Sequence, residues 1–158
     1  IRLARGVYTA PGVALPGSEE GVLVVAERIP EASLCLLTAL RLHGLTTQAP
    51  FEVWIAIGNK DRLPRLDWPP LRGVRFSGEA LTTGLETRAM GRKQGRVTNA
   101  AKTVADCFKF RNLVGLDVAI EALRDALRAR AATVDELWNY AQICRVTKLM
   151  RPYMEALA

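Results

Sequence analysis

The apolar period of this chain changes at about Thr98, and that change limits the folds open to it. From Asn99 onward, apolar residues recur every three or four positions. Between Gly115 and Arg130 the residues Leu116, Ala119, Ile120, Leu123 and Leu127 form one helical stripe. Asn99 and Thr133 stand where helices need N-caps, and Thr133 with Glu136 has the spacing of a capping box. Leu137, Tyr140, Ala141 and Cys144 continue that helix, and Val146 to Leu157 reads as the last one, with Pro152 in a first turn or at a kink. Before Thr98 the pattern differs. Phe51 to Ile57 is β-branched and aromatic and stops at Gly58-Asn59, and Gly73 to Ser77 alternates Val74 and Phe76 with Arg75. Leu85 to Ala89 and Gly95 to Val97 are shorter strand candidates. Gly91 to Gly95 reads as a basic hairpin tip, and Pro64, Pro69 and Pro70 make the 60–71 stretch irregular.

Ahead of the strands stand two helical stretches. Ser18-Glu19-Glu20 opens the first, carried by Val22, Val25, Ala26 and Ile29 and stopped by Pro30. The second is expected to start near Glu31 and to be almost wholly buried, with Leu34, Leu37, Ala39, Leu40 and Leu42 on all sides and His43-Gly44 closing it. Helices, then strands, then helices is the order of an α+β domain rather than a parallel α/β sheet. The expected architecture is a small, mostly antiparallel sheet with a C-terminal helical set packed on it. A chain of 158 residues with no visible linker suits one compact core.

Several function classes have little support. No apolar run approaches the roughly 20 residues of a membrane helix. Cys35, Cys107 and Cys144 are odd in number, widely spaced and set among apolar neighbours, as buried reduced thiols of a cytoplasmic protein would be. With a single histidine, His43, and no CxxC pair, neither a metal site nor a cofactor is expected. No glycine-rich phosphate loop, HExxH or GxSxG motif is present, so no catalytic residue is assigned. Asp67, Glu79 and Glu86 with Lys93 form a loose nuclease-like inventory, which keeps a metal-dependent enzyme acting on nucleic acid open as an alternative. A protein-interaction or dimerisation module is another. Lys102 and Thr103 admit two readings: a phosphate seat at a helix N-terminus, or polar bracing of the helix start against the sheet.

Charge is the positive lead. The net charge is +6, and its distribution is uneven. Residues 58–111 hold twelve basic and five acidic side chains, while the segments on either side come to −1 and 0. Arg62, Arg65, Arg72 and Arg75 lie on or around the first two strands, and Arg88, Arg92, Lys93 and Arg96 on the hairpin. Alternate strand residues share a face, so a short sheet can gather such cations into a nucleic-acid surface. Trp54, Trp68 and Phe76 are interleaved with them, as stacking groups or as core.

Leu36-Leu37-Thr38-Ala39-Leu40-Arg41-Leu42-His43-Gly44-Leu45-Thr46-Thr47-Gln48 resembles the AbiEi family of type IV antitoxins. So do Val53 to Ile57, Val74 to Gly78, Ala101 to Phe108, Gly115 to Ala119 and Met150 to Tyr153, in that order. The resemblance runs from about Arg5 through nearly the whole chain. It implies an abortive-infection (phage-defence) antitoxin that is also a transcriptional regulator of its own operon. In that family an N-terminal winged helix-turn-helix binds operator DNA. A C-terminal domain opposes a nucleotidyltransferase-like toxin, generally without a stable complex. On this pattern residues 1–12 are expected to be a remnant of the wing, with Arg2 and Arg5 as phosphate contacts, and residues 13–158 the C-terminal antitoxin domain. The helix-turn-helix itself has no counterpart in this sequence.

Overall fold

The computed structural model describes residues 19–158 in full and, before them, only the backbone of two short strands. These are β1 (Arg2–Ala4) and β2 (Val7–Tyr8), paired antiparallel. Arg5 and the side chain of Arg2 lie outside the described residues, as does most of the 1–12 wing segment.

The first helix, α1 (Glu19–Arg28), starts with two glutamates at its N-terminal end and stops before Pro30. The expected second helix divides. Ser33–Leu34 form a short strand, β3, and only then does α2 (Leu36–Leu42) begin. Cys35 is extended at φ −145°, and Leu36 turns the corner at φ 47°, an uncommon backbone for leucine. An apolar run of this kind fits a buried strand as well as a buried helix. Here Leu34 is wedged between two longer strands, and the ladders on either side decide its conformation.

Those longer strands belong to a five-stranded sheet. Along it run β5 (Leu71–Phe76), β4 (Val53–Gly58), β3, β7 (Lys93–Thr98) and β6 (Leu85–Met90). The sheet is mixed, not mostly antiparallel as the segregated order of elements suggested. β3 is antiparallel to β4 and β6 to β7, but β4 is parallel to β5 and β3 to β7. The reason lies in the proline-rich 59–70 connection. It carries the chain from the end of β4 back to the start of β5, and a parallel pair requires a crossover of this length. Within this sheet only β6 and β7 form a hairpin. Met90 pairs with Lys93 around a two-residue turn in which Gly91 takes φ 63°.

Alternation along the strands sends side chains to two cores. Val53, Ile55, Leu34 and Val97 face α1. Trp54, Val74, Phe76 and Cys35 face the helical half. That half consists of α4 (Ala100–Lys109), α5 (Arg111–Val114), α6 (Leu116–Arg128), α7 (Val134–Ile143) and α8 (Thr147–Leu157). A single turn, α3 (Glu79–Thr82), adds Ala80 to it. The caps fall where the residue types demand. Asn99 accepts from the Lys102 amide, and Thr133 and Glu136 make both bonds of a capping box. Pro152 sits inside α8 on its exposed side. The fold is therefore α+β, with α4 at its centre and every residue from Ala100 to Phe108 buried.

Candidate nucleic-acid interface

The basic residues of the middle segment divide by what their side chains touch. Arg75 is committed to the fold. Its Nη1 donates to the carbonyls of Gly58, Asn59 and Asp61 at 2.7, 3.0 and 2.7 Å and closes the exit of β4. Arg88 donates to the Leu42 carbonyl at 2.9 Å, tying the hairpin to the end of α2. Arg96 donates through Nη2 to the Glu31 carbonyl. Arg72 lies 5.1 Å from the ring centroid of Trp54 and 3.9 Å from Glu52, half-buried. Each of these four sits on a strand, where alternation suggested a shared cationic face; long-range contacts have claimed them instead.

Arg62, Arg65, Arg92 and Lys93 remain exposed, with no hydrogen bond or ion pair among the described residues. Lys60 is exposed in the same way. It stands in the turn that follows β4 and is not among the cations assigned from the sequence. Topology brings four of these positions to one end of the sheet. β4 runs antiparallel to β3, and β3 runs parallel to β7, so β4 ends where β7 begins. Lys60 and Arg62 follow the end of β4, Arg92 lies in the turn before β7, and Lys93 opens that strand. Arg65 lies further along the crossover. Trp54 and Phe76 do not join them, being 6 % and 2 % exposed and part of the core, while Trp68 is half-buried on the crossover and belongs to neither core cluster.

Lys102 and Thr103 brace the helix start; they do not form a phosphate seat. Lys102 is fully buried, and its Nζ reaches both carboxylate oxygens of Asp106 at 2.6 and 2.7 Å. It also lies 4.8 Å from the ring centroid of Phe76. Cys144 adds a thiol bond to Asp106 Oδ1 at 3.3 Å. Burial pushes the Asp106 carboxyl up to about 6, with Lys102 pulling in the opposite direction. Burial likewise drives the thiols of Cys35 and Cys107 well above their usual range and that of Cys144 to about 12. All three cysteines are free and buried. Thr103 shares a 2.6 Å hydroxyl contact with Thr98 and donates to the Asn99 carbonyl.

Gly84, at φ +74°, makes room for this arrangement, since a Cβ there would come within 2.7 Å of the Lys102 side chain. His43 closes α2 as its sequence position suggested, with Nε2 at 2.7 Å from the Thr98 carbonyl and 3.7 Å from Glu86. Asp67, Glu79 and Glu86 are scattered over the crossover, α3 and β6. Among the described residues no three His, Cys, Asp or Glu side chains form a group that could hold a metal ion. No described helix is long and apolar enough to cross a membrane.

No protein-family model matches the chain, and no curated protein matches it.

Proposed function

We propose that this chain is the C-terminal regulatory and antitoxin domain of an AbiEi-like protein. In this reading it works in the cytoplasm as part of an autorepressor and antitoxin, with no catalytic step of its own. Its partners are the operator DNA of its own operon, engaged through the full-length protein, and a nucleotidyltransferase-like toxin that it opposes without a stable complex. The ordered run of motifs from Leu36 to Tyr153 supports the family reading. Those motifs fall on α2, β4, the end of β5, α4, α6 and α8, the elements that build the two cores.

The observation that carries the nucleic-acid part is the set of exposed, unpartnered cations Lys60, Arg62, Arg65, Arg92 and Lys93. Cations free of internal partners can neutralise phosphates, whereas Arg75 or Arg88 would have to leave backbone carbonyls to do so. Such contacts position a protein on DNA and carry no sequence code.

The test is fluorescence anisotropy of the chain with labelled duplex across a salt series. Each neutralised phosphate contributes a slope of about −0.9 in log affinity against log salt. Charge reversal at Arg62, Arg65, Arg92 and Lys93 together should abolish that slope at unchanged thermal stability. Binding that survives the fourfold reversal, or no binding at low salt, would remove the nucleic-acid role. The nuclease alternative has no specific geometric support, since its carboxylates do not assemble.

A further inference from the structure

The shortness of β3 opens a cleft in the middle of one end of the sheet. Ser33 pairs with Ala56 on one side and with Arg96 on the other. Beyond that level β4 continues to Gly58, and β7 has already begun at Lys93. The chain before Ser33 does not run between them, because Ile29 to Ala32 form a turn closed by Ala32 N–H to the Ile29 carbonyl at 3.0 Å. The facing edges of β4 and β7 therefore lie about two strand spacings, roughly 10 Å, apart. A cleft of about 550 Å³ opens at this level, bounded by the end of β4, the turn before Ser33, the start of the 59–70 crossover, α3 and Arg96 of β7, within the span of small-molecule sites.

Its walls combine two chemistries. Ile57 comes from the α1 side of the sheet and Leu81 from the helical side. Arg62 and Arg96 line it from opposite flanks, Arg62 from the β4 exit and Arg96 from β7. Arg62 is exposed and bonds to nothing among the described residues. Arg96 donates only to a main-chain carbonyl, so its charge is not matched and most of its five donors are unused. Arg75 does not line the cleft; it holds the Gly58, Asn59 and Asp61 carbonyls that shape this wall. Two carboxylates, Asp61 and Glu31, oppose Arg62 and Arg96, and Asp61 already accepts the Gly58 amide at 3.1 Å.

We propose that this cleft binds a small organic anion. Its phosphate or carboxylate end is held by the guanidinium groups of Arg62 and Arg96, and its apolar or planar body lies between Ile57 and Leu81. The planar fork of arginine fits either oxyanion with two parallel bonds. The inference does not depend on the nucleic-acid reading, which can fail while the cleft binds its ligand.

The experiment is a titration of the ¹⁵N-labelled chain with AMP, with benzoate and with adenosine, read from amide chemical shifts. AMP or benzoate should shift Ser33, Ile57, Gly58 and Arg96 and saturate at about 1 mM or below. Whichever of the two binds identifies the oxyanion, and adenosine, lacking one, should leave these amides unmoved. Arg62→Ala should weaken binding about tenfold or more, as expected for a lost charge-assisted bond. Arg62 has no partner in the fold, so this variant keeps the native spectrum elsewhere. Arg96→Lys should weaken binding as well, because an ammonium cannot form the paired bonds. The proposal is overturned by no saturating shift with either anion up to about 10 mM. Equal binding of adenosine, shifts centred on Arg92 and Lys93, or binding unchanged in Arg62→Ala would overturn it too.

Discussion

Replacing Lys102 by methionine should be among the most damaging single changes in this protein. Both partners of the Lys102–Asp106 pair are completely buried one helical turn apart on α4. Methionine fills much the same volume, so the substitution tests charge rather than packing. It leaves the Asp106 carboxylate with a single weak partner, the Cys144 thiol at 3.3 Å. Removing one member of a buried pair costs about 3–5 kcal/mol, because the remaining charge is stranded in a medium that cannot solvate it. Replacing both members, Lys102→Met with Asp106→Leu, removes the stranded charge and should recover most of the loss. The assay is urea unfolding of the three proteins at pH 7 by circular dichroism, with the slope against denaturant held as a check that the unfolded state is unchanged. A cost below about 1 kcal/mol for Lys102→Met would refute the argument. So would a double variant as unstable as the single one, since the damage would then come from shape and not from charge.

Three further outcomes are expected. Stability should respond to pH through Asp106. Its folded pKa is raised to about 6 from 3.8, so its contribution is full below about pH 4 and is lost as pH rises through about 6. Comparing Asp106→Asn with the parent across that range by thermal melts should show the parent losing ground as pH rises, and parallel curves would contradict it. Thr133→Ala removes one half of the capping box on α7 and should cost about 1 kcal/mol, read from the urea midpoint. Gly84→Ala meets both a left-handed backbone and the Lys102 side chain at 2.7 Å, so it should cost about 1–3 kcal/mol and lower Tm by several degrees. An unchanged Tm would mean the loop moves aside freely.

What the amino-acid sequence determined by itself is whatever depends on neighbours three or four residues away. Asn99 reaches the Lys102 amide, Thr133 and Glu136 exchange bonds, and the Leu116–Leu127 stripe turns inward, because each relation closes within one or two helical turns. The α+β order was legible for the same reason, since a change of period is local. Other features needed partners distant in the chain. Ser33 and Leu34 sit in an apolar run that suits a helix, and only β4 and β7 on either side make them a strand. The direction of β5 depends on how the 59–70 crossover returns. The division of the arginines is tertiary as well: Arg75, Arg88 and Arg96 read from sequence as surface cations like Arg62 and Arg92. Carbonyls 14 to 65 residues away hold the first three, and none reaches the other two. Lys102 carries the same lesson inward. Its i,i+4 spacing to Asp106 was visible, but only the packing of α4 under Phe76 and Cys144 removes the pair from water and turns an ordinary helix contact into a buried charge.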